Sequence, residues 1–119
     1  MTIQIFKNAR DLETFEPGTV VFQQGDPGDA MFAVVEGEVS IARDGTVIEK
    51  LAQGDIFGEL ALVDDSARGA TATATAPSKL ARVDKKHFTF LVQEHPTFAL
   101  QVMAVMAGRL RDANQRSGQ

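Results

Sequence analysis

The sequence predicts a mainly β domain: a small sandwich or roll of about seven or eight short strands, followed by helices. Glycine and proline recur about every ten residues through the first two-thirds of the chain and separate short apolar runs. From residue 84 onward, the apolar residues follow helical spacing instead. The chain has 119 residues, enough for one compact domain, and we expect a single domain over residues 1–119.

The apolar runs between the turn signals have the length of strands. Val39 and Ile41 alternate with polar neighbours, which is typical of a strand with one buried face. Alanine and threonine alternate over residues 69–76, which predicts a strand with slim side chains on both faces. The predicted strands cover residues 19–22, 31–35, 39–42, 46–51, 69–76 and 78–83.

Two helices are predicted after the strands. Asp84 is suited to cap the first helix, which ends at His95-Pro96 because the residue before proline avoids the helical conformation. Proline is favoured in a first helical turn, so the second helix begins near Pro96. The roll is expected at about residues 15–83, the C-terminal helices at about 84–114, and a short N-terminal helix at about 7–12.

The last predicted helix carries two apolar stripes. One stripe must pack on the roll, whereas the second can cover a ligand, contact another copy of the helix or simply join the core. Arg109 and Arg111 can reach a ligand or a partner, although solvated charges are the commoner role of such residues. The stripes are Phe98, Val102, Met106 and Leu110, and Leu100, Met103 and Ala107.

Composition excludes several functional classes. The net charge of −4 argues against a surface that binds nucleic acid, although one pocket for a single anion remains compatible with it. The absence of cysteine excludes disulfides and thiolate chemistry. No segment resembles a signal peptide or reaches the ~20 apolar residues of a membrane span. We expect a cytoplasmic protein without a membrane partner.

The segment at residues 57–71 has the residue types of an anion site. Gly58 allows the backbone to approach a ligand closely. A single helical turn over residues 59–62 would present unpaired N–H groups that attract an anion. Arg68 can fold back over the same point, and its guanidinium matches the oxygens of a phosphate.

Glu59 would repel a phosphate, so its position requires a different partner. A carboxylate can accept a hydrogen bond from a hydroxyl, and a ribose 2′-OH lies beside the phosphate of a nucleotide. Small residues at Gly69 and Ala70 leave room for the phosphate ring.

The sequence Phe-Gly-Glu-Leu-Ala-Leu, five residues and Arg-Gly-Ala-Thr resembles the phosphate-binding cassette of cyclic nucleotide-binding domains. The glycine-rich segment at residues 17–32 and the Val-Glu-Gly-Glu-Val segment resemble the opening strands of that family. The resemblance extends over about residues 15–110. It implies an eight-stranded jelly-roll β-sandwich flanked by helices, in which the helix after Pro96 moves to cover the base.

The resemblance also implies roles for individual residues. Glu59 would bind the ribose 2′-OH and Arg68 an equatorial or axial phosphate oxygen. Backbone N–H groups near Ala61 and Gly69 would complete the phosphate site. The implied ligand site consists of Gly58, Glu59, Leu60, Ala61, Arg68, Gly69 and Ala70.

Three positions depart from the pattern that the family usually shows. Ala67 stands where proline is common, and we expect little effect. A hydroxyl residue at the position of Gly69 often accompanies a preference for cGMP, so Gly69 favours cAMP as the ligand. Asp64 and Asp65 weaken anion binding only if they face the pocket.

Other interpretations of these residues remain open. Glu59 and Arg68 can form an ion pair that only pins a loop, in a domain that keeps the fold but binds nothing. His87 and His95 are interpreted as surface or packing residues, because a jelly-roll metal site needs clustered histidine and glutamate ligands. We expect no metal, no cofactor and no catalytic group.

The leading prediction is a standalone regulatory module that binds cAMP, or alternatively cGMP, and acts through an unknown protein partner. The few residues after Pro96 are too short for a helix-turn-helix domain, so no nucleic-acid contact by this chain is expected. The alternatives are the ligand-binding part of a catabolite-activator-like transcription regulator and a ligand-free scaffold. A homodimer through the last helix is compatible with each of them.

Overall fold

The computed structural model describes residues 3–116. These residues form eight strands in two antiparallel sheets, one turn of 3₁₀ helix at Glu59–Leu62 and two C-terminal helices. The predicted mainly β fold is confirmed. The strands are β1 (Leu12–Phe15), β2 (Val20–Phe22), β3 (Ala30–Glu36), β4 (Glu38–Arg43), β5 (Thr46–Ala52), β6 (Ile56–Phe57), β7 (Thr71–Ala74) and β8 (Ser78–Asp84), and the helices are α1 (Lys85–Glu94) and α2 (Thr97–Arg116).

The strand order is that of a jelly roll. One sheet has the order β1-β8-β3-β6 and the other has the order β2-β7-β4-β5. The first strand therefore pairs with the eighth, the second with the seventh, the third with the sixth and the fourth with the fifth. The strand that follows the β6–β7 loop, β7, therefore lies between β2 and β4 in the second sheet.

The first sheet is covered on both faces, which explains the continuous apolar run of β3. Phe32 and Val34 point into the space between the sheets, where they join a buried cluster with Leu51, Phe57 and Leu80 from neighbouring strands. The alternate residues of β3 contact a second cluster beneath the helices. Its buried members are Ile3, Phe6, Met31, Ala33, Ile56, Leu62, Ala81, Val83, Leu91, Phe98 and Val102.

The predicted C-terminal helices are confirmed to within a few residues. The Asp84 side chain accepts a hydrogen bond from the His87 N–H at 2.8 Å, which caps α1 as expected. Phe98 and Val102 are fully buried and anchor the first half of α2 on the roll. Leu110 from the same stripe is exposed, as are Leu100 and Met103 from the other stripe.

The predicted N-terminal helix at about residues 7–12 is wrong. Isolated turns occupy this region, with hydrogen bonds from Lys7 N to Gln4 O and from Ala9 N to Phe6 O, both at 3.0 Å. Leu12 already belongs to β1, where it pairs with Ala81 of β8. The segment is held by the burial of Phe6 against Phe98, with ring centroids 5.7 Å apart, and does not need a helix.

Candidate functional site

A cavity of about 560 Å³ lies between the β6–β7 loop, the adjoining ends of the strands and the last turns of α2. Its volume is within the range of about 300–1,000 Å³ that small-molecule sites occupy. All seven residues that the sequence predicted as a ligand site line it: Gly58, Glu59, Leu60, Ala61, Arg68, Gly69 and Ala70. The strands add Phe22, Ile41, Ile48 and Phe57, and α2 adds Met106, Arg109, Leu110, Asp112 and Ala113.

Arg68 is the buried cation of the cavity, with 9% of the residue exposed. Its Nη1 donates to the Gly58 carbonyl at 3.1 Å and its Nη2 to the Ala30 carbonyl at 2.7 Å. Its Nε is buried and has no hydrogen-bond partner within residues 3–116. The guanidinium therefore bonds neutral oxygens through Nη1 and Nη2, and its buried Nε has no partner among the described residues.

The backbone around Arg68 is fixed by the loop between β2 and β3. Arg68 N donates to Asp26 O at 2.7 Å, and Gly25 N donates to Arg68 O at 2.8 Å. The guanidinium carbon lies 4.0 Å from the centre of the Phe22 ring, a cation–π distance. These contacts hold the side chain in one place before any ligand arrives.

Two glycines make room for this side chain. A Cβ atom at Gly28 would lie 2.7 Å from Arg68 Nε, and one at Gly58 would lie 2.7 Å from Arg68 Nη1. Gly58 also has a φ of 75°, which is unfavourable for any residue with a side chain. From the sequence, Gly58 was predicted to let the backbone approach a ligand closely. Gly28 was placed only in a turn, because nothing local in the sequence shows what it contacts.

Burial lowers the pKa of Arg68, and the attraction of Asp29 opposes that shift. The guanidinium remains charged at neutral pH, because an arginine side chain is not deprotonated in proteins under such conditions. The cavity thus contains a desolvated positive charge to which no carboxylate of residues 3–116 is bonded.

Glu59 is buried, with 4% exposed, and lies in the 3₁₀ turn. Its Oε1 accepts a hydrogen bond from Arg109 Nη1 at 2.6 Å. The ion pair between Glu59 and Arg68, one of the alternatives from the sequence, is therefore replaced by a pair between Glu59 and α2. The sequence left open whether Arg109 reaches a ligand or partner or is a solvated charge; in the structure its side chain is 25% exposed and contacts two carboxylates of the same chain.

The other predicted features of the loop are placed as follows. The Ala61 N–H, expected to face a phosphate, makes the first hydrogen bond of the 3₁₀ turn, to Gly58 O at a long 3.3 Å. Gly69 has open space where a Cβ would stand, and its carbonyl accepts from Arg43 Nε at 3.1 Å. Asp64 lines the cavity but is exposed and accepts from Ser66 N at 3.0 Å, whereas Asp65 is exposed outside it.

Neither a metal site nor a membrane-spanning helix is found in the described part of the chain. Residues 3–116 contain no group of three histidine, cysteine, aspartate or glutamate side chains placed to hold a metal ion. Within the same residues, no helix combines the length and apolar character needed to span a bilayer.

Comparison with known proteins gives one consistent result. The family model described as "Cyclic nucleotide-binding domain" matches residues 12–95. The chain is 42% identical over 82 residues to a cAMP-dependent protein kinase regulatory subunit of Yarrowia lipolytica, covering 67% of this chain and 22% of that protein. It is 36% identical over 104 residues to a lysophospholipase, nte1, of Aspergillus terreus, covering 83% of this chain.

Solved structures show the same fold. The catabolite activator protein of Thermus thermophilus superposes with a TM-score of 0.78 at 27% identity, over 93% of this chain and 60% of that one. The chain spans only 7% of the length of the Aspergillus lysophospholipase. The similarity to that relative therefore concerns one small region of a much longer protein.

Proposed function

Because the chain belongs to the family of cyclic nucleotide-binding domains, we propose that it binds a 3′,5′-cyclic nucleotide in the cavity beside Arg68 and serves as a regulatory sensor. The observation that carries this proposal is the environment of Arg68: a buried cation that bonds carbonyl oxygens and whose Nε has no partner among the described residues. Domains of this family are regulatory rather than catalytic, and we propose no catalytic role for this chain.

A cyclic phosphate would supply the hydrogen-bond acceptor and the negative charge that Arg68 lacks among the described residues. A buried polar donor without a partner is unfavourable, and a buried charge more so. A phosphate oxygen would accept from the guanidinium and balance its charge in a desolvated place, where charge-assisted hydrogen bonds are strong. The pocket is already formed around Arg68, so little ordering is needed on binding.

The ribose is assigned to the neighbouring carboxylate. The carboxylate of Glu59 is a hydrogen-bond acceptor, and a ribose 2′-OH is a donor of the right kind. Gly58 and Leu60 would line the sugar, and the Gly69 backbone would complete the phosphate site. The Ala61 N–H would contribute by exchanging its long 3.3 Å bond to Gly58 O for a phosphate oxygen. The open space at Gly69 leaves room for the phosphate ring, and Ala70 is similarly small.

The base is assigned to the apolar side of the cavity. Ile41 and Ile48 line it from the sheet, and Met106 and Leu110 line it from α2. Leu110 is 64% exposed in this state, and a base lying against it would cover that surface. We propose cAMP rather than cGMP as the ligand, because the position of Gly69 lacks a hydroxyl and the Yarrowia relative is named as cAMP-dependent.

Titration calorimetry of the chain with cAMP and with cGMP tests the proposal. We expect binding of both compounds or of cAMP alone, with cAMP the tighter ligand. Arg68→Ala removes charge-assisted hydrogen bonds of about 1.5–3 kcal/mol, so the affinity should fall at least about tenfold. Arg68→Lys should restore only part of it, because an ammonium lacks the planar fork of a guanidinium.

Arg10→Ala is the matched control, because Arg10 is exposed and does not line the cavity. It removes the same charge and should leave the affinity unchanged. The absence of heat with either nucleotide at millimolar concentration contradicts the proposed function. An unchanged affinity in Arg68→Ala contradicts the phosphate assignment alone.

The output of the sensor is proposed to pass to a protein partner through α2. A second copy of this chain is one candidate, because Leu100 and Met103 are 66% and 58% exposed on α2 and Ala107 continues their stripe. Spacings of three and four residues are those of a helix-pairing seam. Sedimentation at increasing concentration, with and without ligand, tests this candidate, and a monomer throughout excludes it.

A further inference from the structure

Arg43 is the third arginine that lines the cavity, and it is the last residue of β4. Successive side chains of a strand point to opposite faces, so Arg43 shares a face of β4 with Val39 and Ile41. Val39 and Ile41 belong to the buried cluster between the sheets, and Ile41 also lines the cavity. Arg43 is itself exposed, so this face of β4 leads from the core to a charged end at the surface.

The turn that follows Arg43 is fastened to the loop after β2. Asp44 has a φ of 52°, and its backbone N–H donates to Gln24 Oε1 at 2.9 Å, while Gln24 Nε2 donates to Asp44 Oδ1 at 2.9 Å. Gln24 N in turn donates to Oγ1 of Thr71, the first residue of β7, at 2.9 Å. The backbone from which Arg43 extends is therefore fixed relative to the end of the β6–β7 loop.

Two hydrogen bonds hold the backbone on either side of Gly69. Gly25 N donates to Arg68 O at 2.8 Å, and Arg43 Nε donates to Gly69 O at 3.1 Å. These two carbonyls belong to the two peptide planes that meet at the Gly69 Cα. Glycine has the greatest backbone freedom of any residue, and the place of a Gly69 Cβ has no other atom within 4 Å. Side-chain packing therefore does not hold Gly69, and the bond from Arg43 restrains the second plane.

The first of these planes also carries the Gly69 N–H. In a trans peptide, the carbonyl and the N–H point in opposite directions. Because Arg68 O accepts from Gly25 in the β2–β3 loop, the Gly69 N–H points away from that loop. A plane held by one hydrogen bond can still turn about it, whereas bonds on both sides of the Cα restrain φ and ψ together. The direction of the Gly69 N–H thus depends on Arg43 as well as on Gly25.

We propose that Arg43 is a positioning residue for the cyclic phosphate: by holding the Gly69 carbonyl, it fixes the Gly69 N–H as a donor to one exocyclic phosphate oxygen, and Arg68 bonds the other. This inference rests on the proposed function, since it concerns a phosphate in the same cavity. A donor that is already ordered needs less ordering on binding, which raises the affinity. Arg43 therefore acts mainly through a neutral peptide group, and its own charge contributes less.

Three substitutions separate the donor of Arg43 from its charge. Arg43→Gln removes the charge but keeps a nitrogen donor at the position of Nε, whereas Arg43→Lys keeps the charge and has a carbon there. Arg43→Ala removes both. Arg43 is exposed, so each variant should fold, which circular dichroism checks. Lys50→Ala is the control, because Lys50 is exposed on the neighbouring strand β5 and does not line the cavity.

Nitrogen-15 relaxation of the ligand-free chain tests the restraint on Gly69 directly. The order parameter of the Gly69 N–H should be about 0.85 in the unmodified chain and in Lys50→Ala, and should fall to about 0.6 in Arg43→Ala. Arg43→Gln should stay near the unmodified value, because its amide can still bond Gly69 O. Arg43→Lys should give an intermediate value, because its ammonium lies one bond further along the side chain.

Calorimetry with Sp-cAMPS and Rp-cAMPS tests the contact with the phosphate. In each compound sulfur, a weak acceptor, replaces a different exocyclic oxygen. Arg43→Ala should lower the affinity for cAMP about fivefold, because one donor loses its ordering. It should also change the ratio of the two phosphorothioate affinities about threefold or more, because only one oxygen is affected. Arg43→Gln and Lys50→Ala should keep both values within about twofold of the unmodified chain.

An unchanged order parameter of Gly69 in Arg43→Ala overturns the inference, because Arg43 would then not restrain this peptide. Equal weakening of both phosphorothioates overturns it as well. So does a loss in Arg43→Gln that matches the loss in Arg43→Ala and disappears at about 1 M salt, because a charge that only attracts the anion is screened there. Each of these results leaves cyclic-nucleotide binding intact. An unmodified chain that binds no nucleotide instead refutes the proposed function, and the inference with it.

Discussion

Two of the three arginines that line the cavity, Arg68 and Arg109, are in opposite electrostatic states. Arg68, from the β6–β7 loop, bonds two carbonyl oxygens and leaves its buried Nε without a partner in the described chain. Arg109, from α2, bonds two carboxylates and a carbonyl. The pKa shifts follow this difference, since burial lowers the pKa of Arg68 while the carboxylates raise that of Arg109.

The difference shows how one residue type serves two purposes. An arginine without a bonded counter-ion is suited to receive an anion from outside, because the ligand brings the missing charge. An arginine already paired with carboxylates gains little from an anion and acts on its own partners instead. At the Arg68 end of the cavity, the positive charge has no bonded counter-ion among the described residues. At the end near α2, two carboxylates neutralise the charge of Arg109.

The largest loss of ligand affinity should come from a substitution that fills the space of the Arg68 guanidinium. Gly58→Ala places a Cβ 2.7 Å from Arg68 Nη1 and forces a side chain onto a φ of 75°. We expect ligand affinity to fall about tenfold or more. The left-handed backbone should lower the free energy of unfolding by about 1–2 kcal/mol.

Gly45→Ala is the control for backbone strain, because its φ is 81° and nothing lies within 4 Å of the added Cβ. It should lose similar stability in urea unfolding while keeping its affinity in calorimetry. Equal affinity losses in the two variants would show that strain, and not the position of Arg68, controls binding.

A smaller effect is expected from Gly28→Ala, which presses on Arg68 from another side. The added Cβ would lie 2.7 Å from Nε and 2.8 Å from Cζ, but the backbone at Gly28 carries no left-handed strain. The guanidinium can shift at a cost of about 1 kcal/mol, so affinity should fall about fivefold with stability nearly unchanged. Affinity equal to that of the unmodified chain, measured by the same titration, would mean that the guanidinium tolerates displacement.

The smallest effect on stability and ligand preference should come from Glu49→Gln, at the end of the cavity where two carboxylates neutralise Arg109. Glu49 is partly exposed and Glu59 still pairs with Arg109, so unfolding free energy should fall by about 1 kcal/mol or less. A preference for cAMP over 2′-deoxy-cAMP, which the assignment of the 2′-OH to Glu59 implies, should remain in calorimetry. Its loss would show that the contact between Glu59 and the hydroxyl depends on Glu49.

The Arg68 end of the cavity was predictable from sequence, and the Arg109 end was not. Gly58, Glu59 and Arg68 lie within eleven consecutive residues, so their spacing alone indicated a shared site. Arg109 lies 50 residues from Glu59 and 60 from Glu49, and only the fold brings these residues together. The charged residues of a helix give no local sign of such distant partners.

The fold, like the cavity, was predictable where it depends on local sequence and not where it depends on distant contacts. The predicted strands and the cap at Asp84 follow from local turn and capping chemistry and match the structure closely. β6 has two residues, too few to show alternation, and β1 is defined by its pairing with β8 rather than by its own composition. The N-terminal turns depend on the burial of Phe6 against α2, which also lies far along the chain.

The unused donor of Arg68 has a practical consequence for solution chemistry. If Arg68 binds the phosphate as proposed, a tetrahedral oxyanion small enough to enter the cavity competes for the same guanidinium. The apparent dissociation constant of the nucleotide then rises linearly with the concentration of that competitor divided by the competitor's own dissociation constant. Sulfate or inorganic phosphate in a buffer would then mask part of the nucleotide affinity while raising the melting temperature of the free protein, as a ligand of the native state does. Buffers with bulky organic anions would report the intrinsic affinity.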